Sequence, residues 1–151
     1  MNIEVKINGR SRRLSIHPGD MLVDVLRDAG YSEVKKGCDS GSCGACTVLL
    51  DGKPVLSCST FAAKADGREV TTVKGIEEEA GRFAEYLTAQ GADQCGFCAP
   101  GFTVMVYAML RENPSPTDDE IRHYLAGNLC RCSGYEGQIR AIRSYVEARN
   151  G

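Results

Sequence analysis

Only two of the 151 residues are histidine and none is tryptophan, and no sign of charge dominates. The formal net charge is -2, with a pI of about 5.7. That balance excludes a nucleic-acid partner held by a basic surface. No apolar run approaches the roughly 20 residues that a membrane span needs. The opening stretch, MNIEVKINGRS, has no apolar core of a secretory signal. Arg12-Arg13 lies in an alternating pattern with no hydrophobic stretch behind it, which argues against a twin-arginine signal and leads us to expect a cytoplasmic protein. There is no internal repeat and no low-complexity tract. With 42% hydrophobic and 25% charged residues the chain reads as globular, long enough for one ordinary domain or two small ones.

What the chain has instead is eight cysteines and 17 glycines. An even cysteine count in a short chain invites a disulfide framework. In a reducing compartment, metal is the better explanation for so many thiols. The cysteines fall in two sets of four, at 38, 43, 46 and 58 and at 95, 98, 130 and 132, with a cysteine-free stretch between. Each set is a full quota for a four-thiolate centre. The composition changes in the same gap, from strands and turns to helices, so two domains are expected, residues 1–75 and 76–151.

In the first domain Ile3, Val5 and Ile7 alternate with polar residues, Asn8-Gly9 supplies a two-residue hairpin turn, and Leu14 and Ile16 mark a second strand. Asp20 is placed to cap a helix over Met21–Ala29, with Leu22, Val25, Leu26 and Ala29 on its face and Gly30 stopping it. A second hairpin follows at 47–56 around Asp51-Gly52, and Val70–Val73 reads as a last strand. This order predicts a small mixed sheet on one helix. The second domain shows four helical patterns, near Glu78–Ala89, Pro100–Arg111, from the capping box at Thr117–Glu120, and after Gly134, with Asn113-Pro-Ser-Pro116 breaking the second from the third. Ile139, Ile142 and Val146 mark the face of the last. Four short helices suggest a compact bundle.

Cys38, Cys43 and Cys46 read C-x4-C-x2-C, and Cys58 follows after eleven residues. That is the spacing of plant-type 2Fe–2S ligands. A cluster with four thiolates is anionic, so backbone N–H groups must turn towards the sulfurs, and a tightly wrapped loop needs residues free to take positive φ. Gly37, Gly41 and Gly44 interleave with the loop cysteines, and Ser40, Ser42 and Ala45 are small. The alternative is structural zinc, whose sites usually pair C-x2-4-C knuckles. Three thiolates in one glycine-rich loop fit it poorly. A Rieske centre needs two histidines near cysteine, and neither His17 nor His123 has a useful spacing.

Cys95-Gly-Phe-Cys98 is C-x2-C, and Cys130-Arg-Cys132, after thirty-one intervening residues, is C-x-C. This second set is less decisive by itself. It admits a cluster or zinc, and with less force a redox-active pair.

Three strings carry a resemblance. Gly37-Cys-Asp-Ser-Gly-Ser-Cys-Gly-Ala-Cys46, Gln94-Cys-Gly-Phe-Cys98-Ala-Pro-Gly101 and Gly127-Asn-Leu-Cys-Arg-Cys132-Ser-Gly-Tyr135 resemble the cluster motifs of the small iron–sulfur subunit of the xanthine dehydrogenase and molybdenum hydroxylase family, in order and over nearly the whole chain. The resemblance implies an α+β chain: an N-terminal β-grasp ferredoxin domain followed by a C-terminal four-helix bundle, each holding one 2Fe–2S cluster. All eight cysteines would be ligands and no residue catalytic. It implies a hetero-oligomer with a large subunit carrying the molybdopterin cofactor and a medium subunit carrying FAD. The chain would relay single electrons from the pterin, through the Cys95/Cys98/Cys130/Cys132 cluster and then the Cys38/Cys43/Cys46/Cys58 cluster, to the flavin.

The same resemblance gives Gln94 a hydrogen bond to the pterin and brings Cys132 close to its edge. Read from its position alone, Gln94 is a helix-end residue bonding backbone. Arg131 can offset cluster charge or face a partner, or simply be solvated. Arg140, Arg143 and Arg149 fit the exposed face of the last helix. Ser133 and Ala99 stand where the family commonly has threonine, and Tyr135-Glu-Gly-Gln138 departs from the commoner continuation. Neither the Ser133 nor the Ala99 change replaces a ligand. The substrate belongs to a partner chain. A purine or related heterocycle is the favoured class, against carbon monoxide, nicotinate, aldehyde or aromatic-CoA enzymes. A stand-alone ferredoxin and a zinc-stabilised module are the readings from other classes.

Overall fold

A computed structural model describes all residues, 1–151. The first lobe is a five-stranded mixed sheet. Strands β1 (Asn2–Ile7) and β2 (Arg10–Ser15) form an antiparallel hairpin, as do β3 (Thr47–Leu50) and β4 (Lys53–Leu56), and β5 (Glu69–Thr71) lies between the hairpins, giving the order β2-β1-β5-β3-β4. β5 runs parallel to β1 and antiparallel to β3. Both hairpins turn on two residues with positive φ, Asn8-Gly9 and Asp51-Gly52, whose twist matches the flanking strands. β1 buries Ile3, Val5 and Ile7 and exposes the residues between, the period-2 signature of a sheet with one wet face. Helix α1 (Leu22–Asp28) packs on the covered face through Leu22, Val23 and Leu26.

β3 is different. All four of its residues are buried, because the second lobe covers its other face. Leu49 joins Ile76, Val104 and Ala108 in a small core shared by the two lobes. The second lobe contains α2 (Glu77–Ala89), α3 (Ala99–Glu112), α4 (Asp118–Tyr124) and α5 (Glu136–Asn150). Its core stacks Phe83 on Phe102, with ring centroids 6.0 Å apart, and Tyr145 against Phe83 at 5.3 Å, with Leu87, Met109, Ile121 and Ile142 around them.

Several expectations need correcting. Asp20 does not cap α1. The N-cap is Met21, without a side-chain bond, and Asp20 Oδ2 instead accepts from the His17 amide at 2.8 Å, closing the turn before the helix. Val23, not expected in the core, is fully buried, while Val25 is only half-buried. The last strand ends at Thr71, and Val73 opens a 3-10 turn that runs into α2. Cys58 follows the second hairpin on a 3-10 turn (Ser57–Ser59) just past β4. In α5 the core residue Tyr145 accompanies Ile139 and Ile142, and Val146 is peripheral. The capping box at Thr117 is present in full.

Candidate metal centres

The first four cysteines are carried by the loop between α1 and β3 and by the turn after β4. The β3–β4 hairpin folds Cys58 back beside the loop, where its thiol pairs with that of Cys46, while Cys38 pairs with Cys43. The other four sit on loops at helix ends: Cys95 and Cys98 lead into α3, and Cys130 and Cys132 lie between α4 and α5. There Cys95 pairs with Cys132 and Cys98 with Cys130. Nowhere do three or more Cys, His, Asp or Glu side chains gather closely enough to hold one metal ion. Two separate thiol pairs per site suit a two-iron core, in which each iron takes two thiolates, better than the tetrahedral four-thiolate shell of zinc.

Backbone amides turn towards the sulfurs. Cys43 N–H donates to Cys38 Sγ at 3.4 Å, Ala45 N–H to Cys43 Sγ at 3.5 Å, and Ser133 N–H to Cys130 Sγ at 3.4 Å. The Cys43 amide and thiol together hold the Cys38 thiol down at about 6. Burial, reinforced by the neighbouring Cys130, pushes Cys98 up to about 12, and burial also raises Cys43 and Cys46. Bare thiolates are costly in these places, and a bound cation would relieve that cost.

The loop glycines do not all act alike. Gly44 has a φ of 73°, and a Cβ there would also strike Gly127 O and Asn128 of the second lobe. Gly37 does not have positive φ; it is required for space, because its Cβ would stand 2.9 Å from the Phe97 ring and 3.3 Å from Cys43 Sγ. Gly41 takes a φ of 70° beside Ser59.

Gln94 donates through Nε2 to the Cys132 carbonyl at 3.2 Å, tying together the two loops of the second site. This is the backbone bond that its position suggested. The side chain remains exposed beside Cys132, which is itself exposed. Arg131 is exposed and makes no hydrogen bond or ion pair within the chain. Arg140 bonds Gln90, Arg143 forks onto Asp118, and Arg149 lies 5.5 Å over the Tyr145 ring; all three are exposed, but they point to different sides of α5 and not along one face. Both histidines are exposed.

Residues that are not themselves candidate ligands complete the sites. Tyr135 has a φ of 72° and a ψ of -35°, rare for a residue with a side chain, and its hydroxyl accepts from Cys130 N–H at 3.2 Å. Ser57 Oγ donates to the Cys46 carbonyl at 2.6 Å. In the first turn of α3, a Cβ on Gly101 would stand 2.8 Å from Ala45 O and closer still to Gly44 O. Helix and loop backbones therefore touch across the lobes. Gly101 and Tyr135 carried a signal in the sequence, as the ends of Cys98-Ala-Pro-Gly101 and of the Gly127–Tyr135 string, and Ser57 carried none.

Comparison with known proteins agrees with this geometry. A family described as 2Fe-2S iron-sulfur cluster binding domain matches residues 5–74, and one described as [2Fe-2S] binding domain matches residues 72–143. The nicotinate dehydrogenase small FeS subunit of Eubacterium barkeri is 41% identical over 150 residues, covering 97% of this chain and 96% of its own length. The xanthine dehydrogenase iron-sulfur-binding subunit of Escherichia coli O157:H7 is 47% identical over 148 residues, covering 94% and 92%. Among solved structures, a chain of quinoline 2-oxidoreductase from Pseudomonas putida 86 superposes with a TM-score of 0.90 at 41% identity, covering 100% of this chain and 97% of that one. Aldehyde oxidoreductase from Desulfovibrio gigas superposes at 0.89 and 36% identity, and there the whole of this chain corresponds to 17% of a longer polypeptide.

Proposed function

The chain belongs to the small iron–sulfur subunits of the xanthine dehydrogenase and molybdenum hydroxylase family, and on that footing we propose how its residues serve that role. It is the electron-transfer component of a molybdenum-dependent oxidoreductase, holds two 2Fe–2S clusters and performs no substrate chemistry itself. We assign the first cluster to Cys38, Cys43, Cys46 and Cys58 and the second to Cys95, Cys98, Cys130 and Cys132, in domains of residues 1–75 and 76–151. The observation that carries this assignment is the placement of four cysteines on facing loops in each lobe, with backbone amides aimed at Cys38, Cys43 and Cys130. When bound, each cluster accepts and releases one electron at a time. The chain's own contribution is to hold the thiolates in register, aim amides at them and exclude water from the inner ligands, with Gly37, Gly41 and Gly44 letting backbone come close.

The relatives are small subunits or segments of larger enzymes, so the chain works in a hetero-oligomer. We assign its partners as a large molybdopterin-binding subunit and a medium FAD-binding subunit. Two features support turning the second site towards the molybdopterin. Phe97, Leu129 and Tyr135 leave large apolar surfaces exposed around it, whereas Asp39, Ser40 and Ser42 ring the first site. Gln94 and Cys132 are both exposed at the same place, ready for a pterin edge. Leu129→Glu should release the subunit from the large chain while leaving both cluster signals in place; retained association would overturn the orientation. The named relatives handle nicotinate, nicotine, xanthine and quinoline as well as aldehydes. A nitrogen heterocycle is therefore the substrate class we propose for the complex, tested by dye reduction with xanthine, nicotinate and an aldehyde.

The deciding measurement is iron and acid-labile sulfide per chain, with EPR of the reduced protein. Roughly four of each and two distinct signals are expected of two two-iron clusters. Stoichiometric zinc in the second site, or a single signal, would overturn the assignment. A colourless protein would leave only the zinc-stabilised module.

A further inference from the structure

The segment leading into Cys130 reaches across to the other site. Asn128 is 5% exposed, and although it belongs to the second lobe's ligand loop its side chain bonds the first-site loop. Its Nδ2 donates to the Gly44 carbonyl at 3.2 Å. The next residue, Leu129, donates its N–H to the Cys43 carbonyl at 2.9 Å. Two consecutive peptide units of the first-site loop are therefore pinned from the opposite lobe.

The Gly44 carbonyl is held from three sides, by Asn128 Nδ2, by Thr47 N–H at 3.2 Å and by Thr47 Oγ1 at 2.7 Å. That oxygen shares one peptide plane with the amide of Ala45. In a trans peptide the C=O and N–H point in opposite directions, so fixing one aims the other. Here the Ala45 N–H is aimed at Cys43 Sγ, 3.5 Å away. A second observation shows that this arrangement costs something. Asn128 Oδ1 is buried with no hydrogen-bond partner, so the side chain is held here against a desolvation penalty.

We propose that Asn128 is a positioning residue for the first iron–sulfur centre, acting from the second lobe by orienting the Gly44–Ala45 peptide so that its N–H faces the Cys43 sulfur. The inference rests on the assignment of that centre to Cys38, Cys43, Cys46 and Cys58. An N–H aimed at a ligand sulfur stabilises the more negative, reduced state. Loosening the peptide makes the first centre harder to reduce. Its potential is thus set jointly by both lobes.

The test is an EPR-monitored redox titration of the full chain as wild type, Asn128→Leu and Thr47→Val. Asn128→Leu has similar volume and removes both the donor and the orphaned oxygen, so stability need not fall. Its first-centre potential should move to a more negative value with iron and sulfide content unchanged. Thr47→Val removes one bond to the same carbonyl from within the first lobe and should move the same potential in the same direction, leaving the second centre's potential in place. Wild-type protein lacking the first signal would overturn the cluster assignment itself. Wild-type signals with unshifted first-centre potentials in both variants would overturn the positioning role alone. If Asn128→Leu fails to fold, Thr47→Val decides: an unshifted potential refutes the aimed peptide.

Discussion

Cys46 is 2% exposed and its carbonyl is held by Ser57, whereas Cys95 and Cys132, which we assign to the other site, lie at the surface. The first site is enclosed by its own loop, by the β3–β4 hairpin and by α3 and Asn128 of the second lobe. The second is built from two loops at helix ends, joined by the Gln94 bond and by Tyr135, and rimmed by exposed Phe97 and Leu129. Burial of apolar surface is what makes obligate subunit contacts stable. The contrast therefore says which site the chain completes by itself and which it leaves for another subunit to complete. It also shows that the two ligand loops lean on each other: Leu129 N–H, one residue before Cys130, donates to the Cys43 carbonyl, Gly101 meets the Gly44 and Ala45 carbonyls, and Phe97 meets Gly37.

The harshest way to break the comparison is to remove a ligand. Cys130→Ser should abolish the second EPR signal and cut iron from roughly four to roughly two per chain, leaving the first signal present. Loss of both signals would mean that the first site cannot form without the second, a deeper dependence than the backbone contacts alone suggest.

Gly101→Ala tests the same dependence without touching a sulfur. The new methyl would meet the Gly44 and Ala45 carbonyls, which are main chain and cannot swing aside. Overpacking of this kind costs about 1–3 kcal/mol. At roughly 2–4 °C per kcal/mol for a chain of this size, thermal melting should fall by several degrees. The first signal should broaden although the substitution lies in the second lobe. A change confined to the second signal would show that the strain passes into the second site and not into the first-site loop.

Tyr135→Phe is gentler. It keeps the ring and removes the hydroxyl that accepts from Cys130 N–H, a bond whose net contribution is about 0.5–1.5 kcal/mol. The second signal should shift in g values, with the first unaltered. An unchanged second signal would show that the unusual backbone of Tyr135 serves packing and not the ligand loop.

How much of this the sequence disclosed follows from the range of the interactions involved. Local signals were legible: the Asn8-Gly9 and Asp51-Gly52 turns, the alternation of β1, the Pro break after Asn113 and the Thr117 capping box all act over a few residues. The cysteine sets were legible because ligand number and spacing are themselves chemistry. What could not be read was contact between distant segments. Nothing local marks Asn128 as buried against Gly44, eighty-four residues away. Nothing marks Gly37 as a space requirement set by Phe97 and not a φ requirement. Asp20 misled because aspartate before an apolar run suits a helix cap and a tight turn equally, and the His17 amide took it.

The smallest expected effect lies far from both sites and measures how independent the bundle is. Thr117 Oγ1 accepts from Glu120 N–H at 3.3 Å, and the Glu120 carboxylate accepts from Thr117 N–H at 2.7 Å. Thr117→Ala should cost about 1 kcal/mol, the usual value of an N-cap, and leave both EPR signals as they are. Bonding to the Thr117 amide, and then to its side chain, lowers the Glu120 carboxyl below its ordinary value. Because the folded value is the depressed one, the stabilisation is complete above the ordinary carboxylate range and is lost as pH falls through the folded value. Glu120→Gln keeps an acceptor that does not titrate. The melting difference between wild type and Glu120→Gln should shrink as pH falls through that window, while acid damage to the clusters, common to both, cancels. A difference that stays constant with pH would mean that the carboxylate charge adds nothing to the cap.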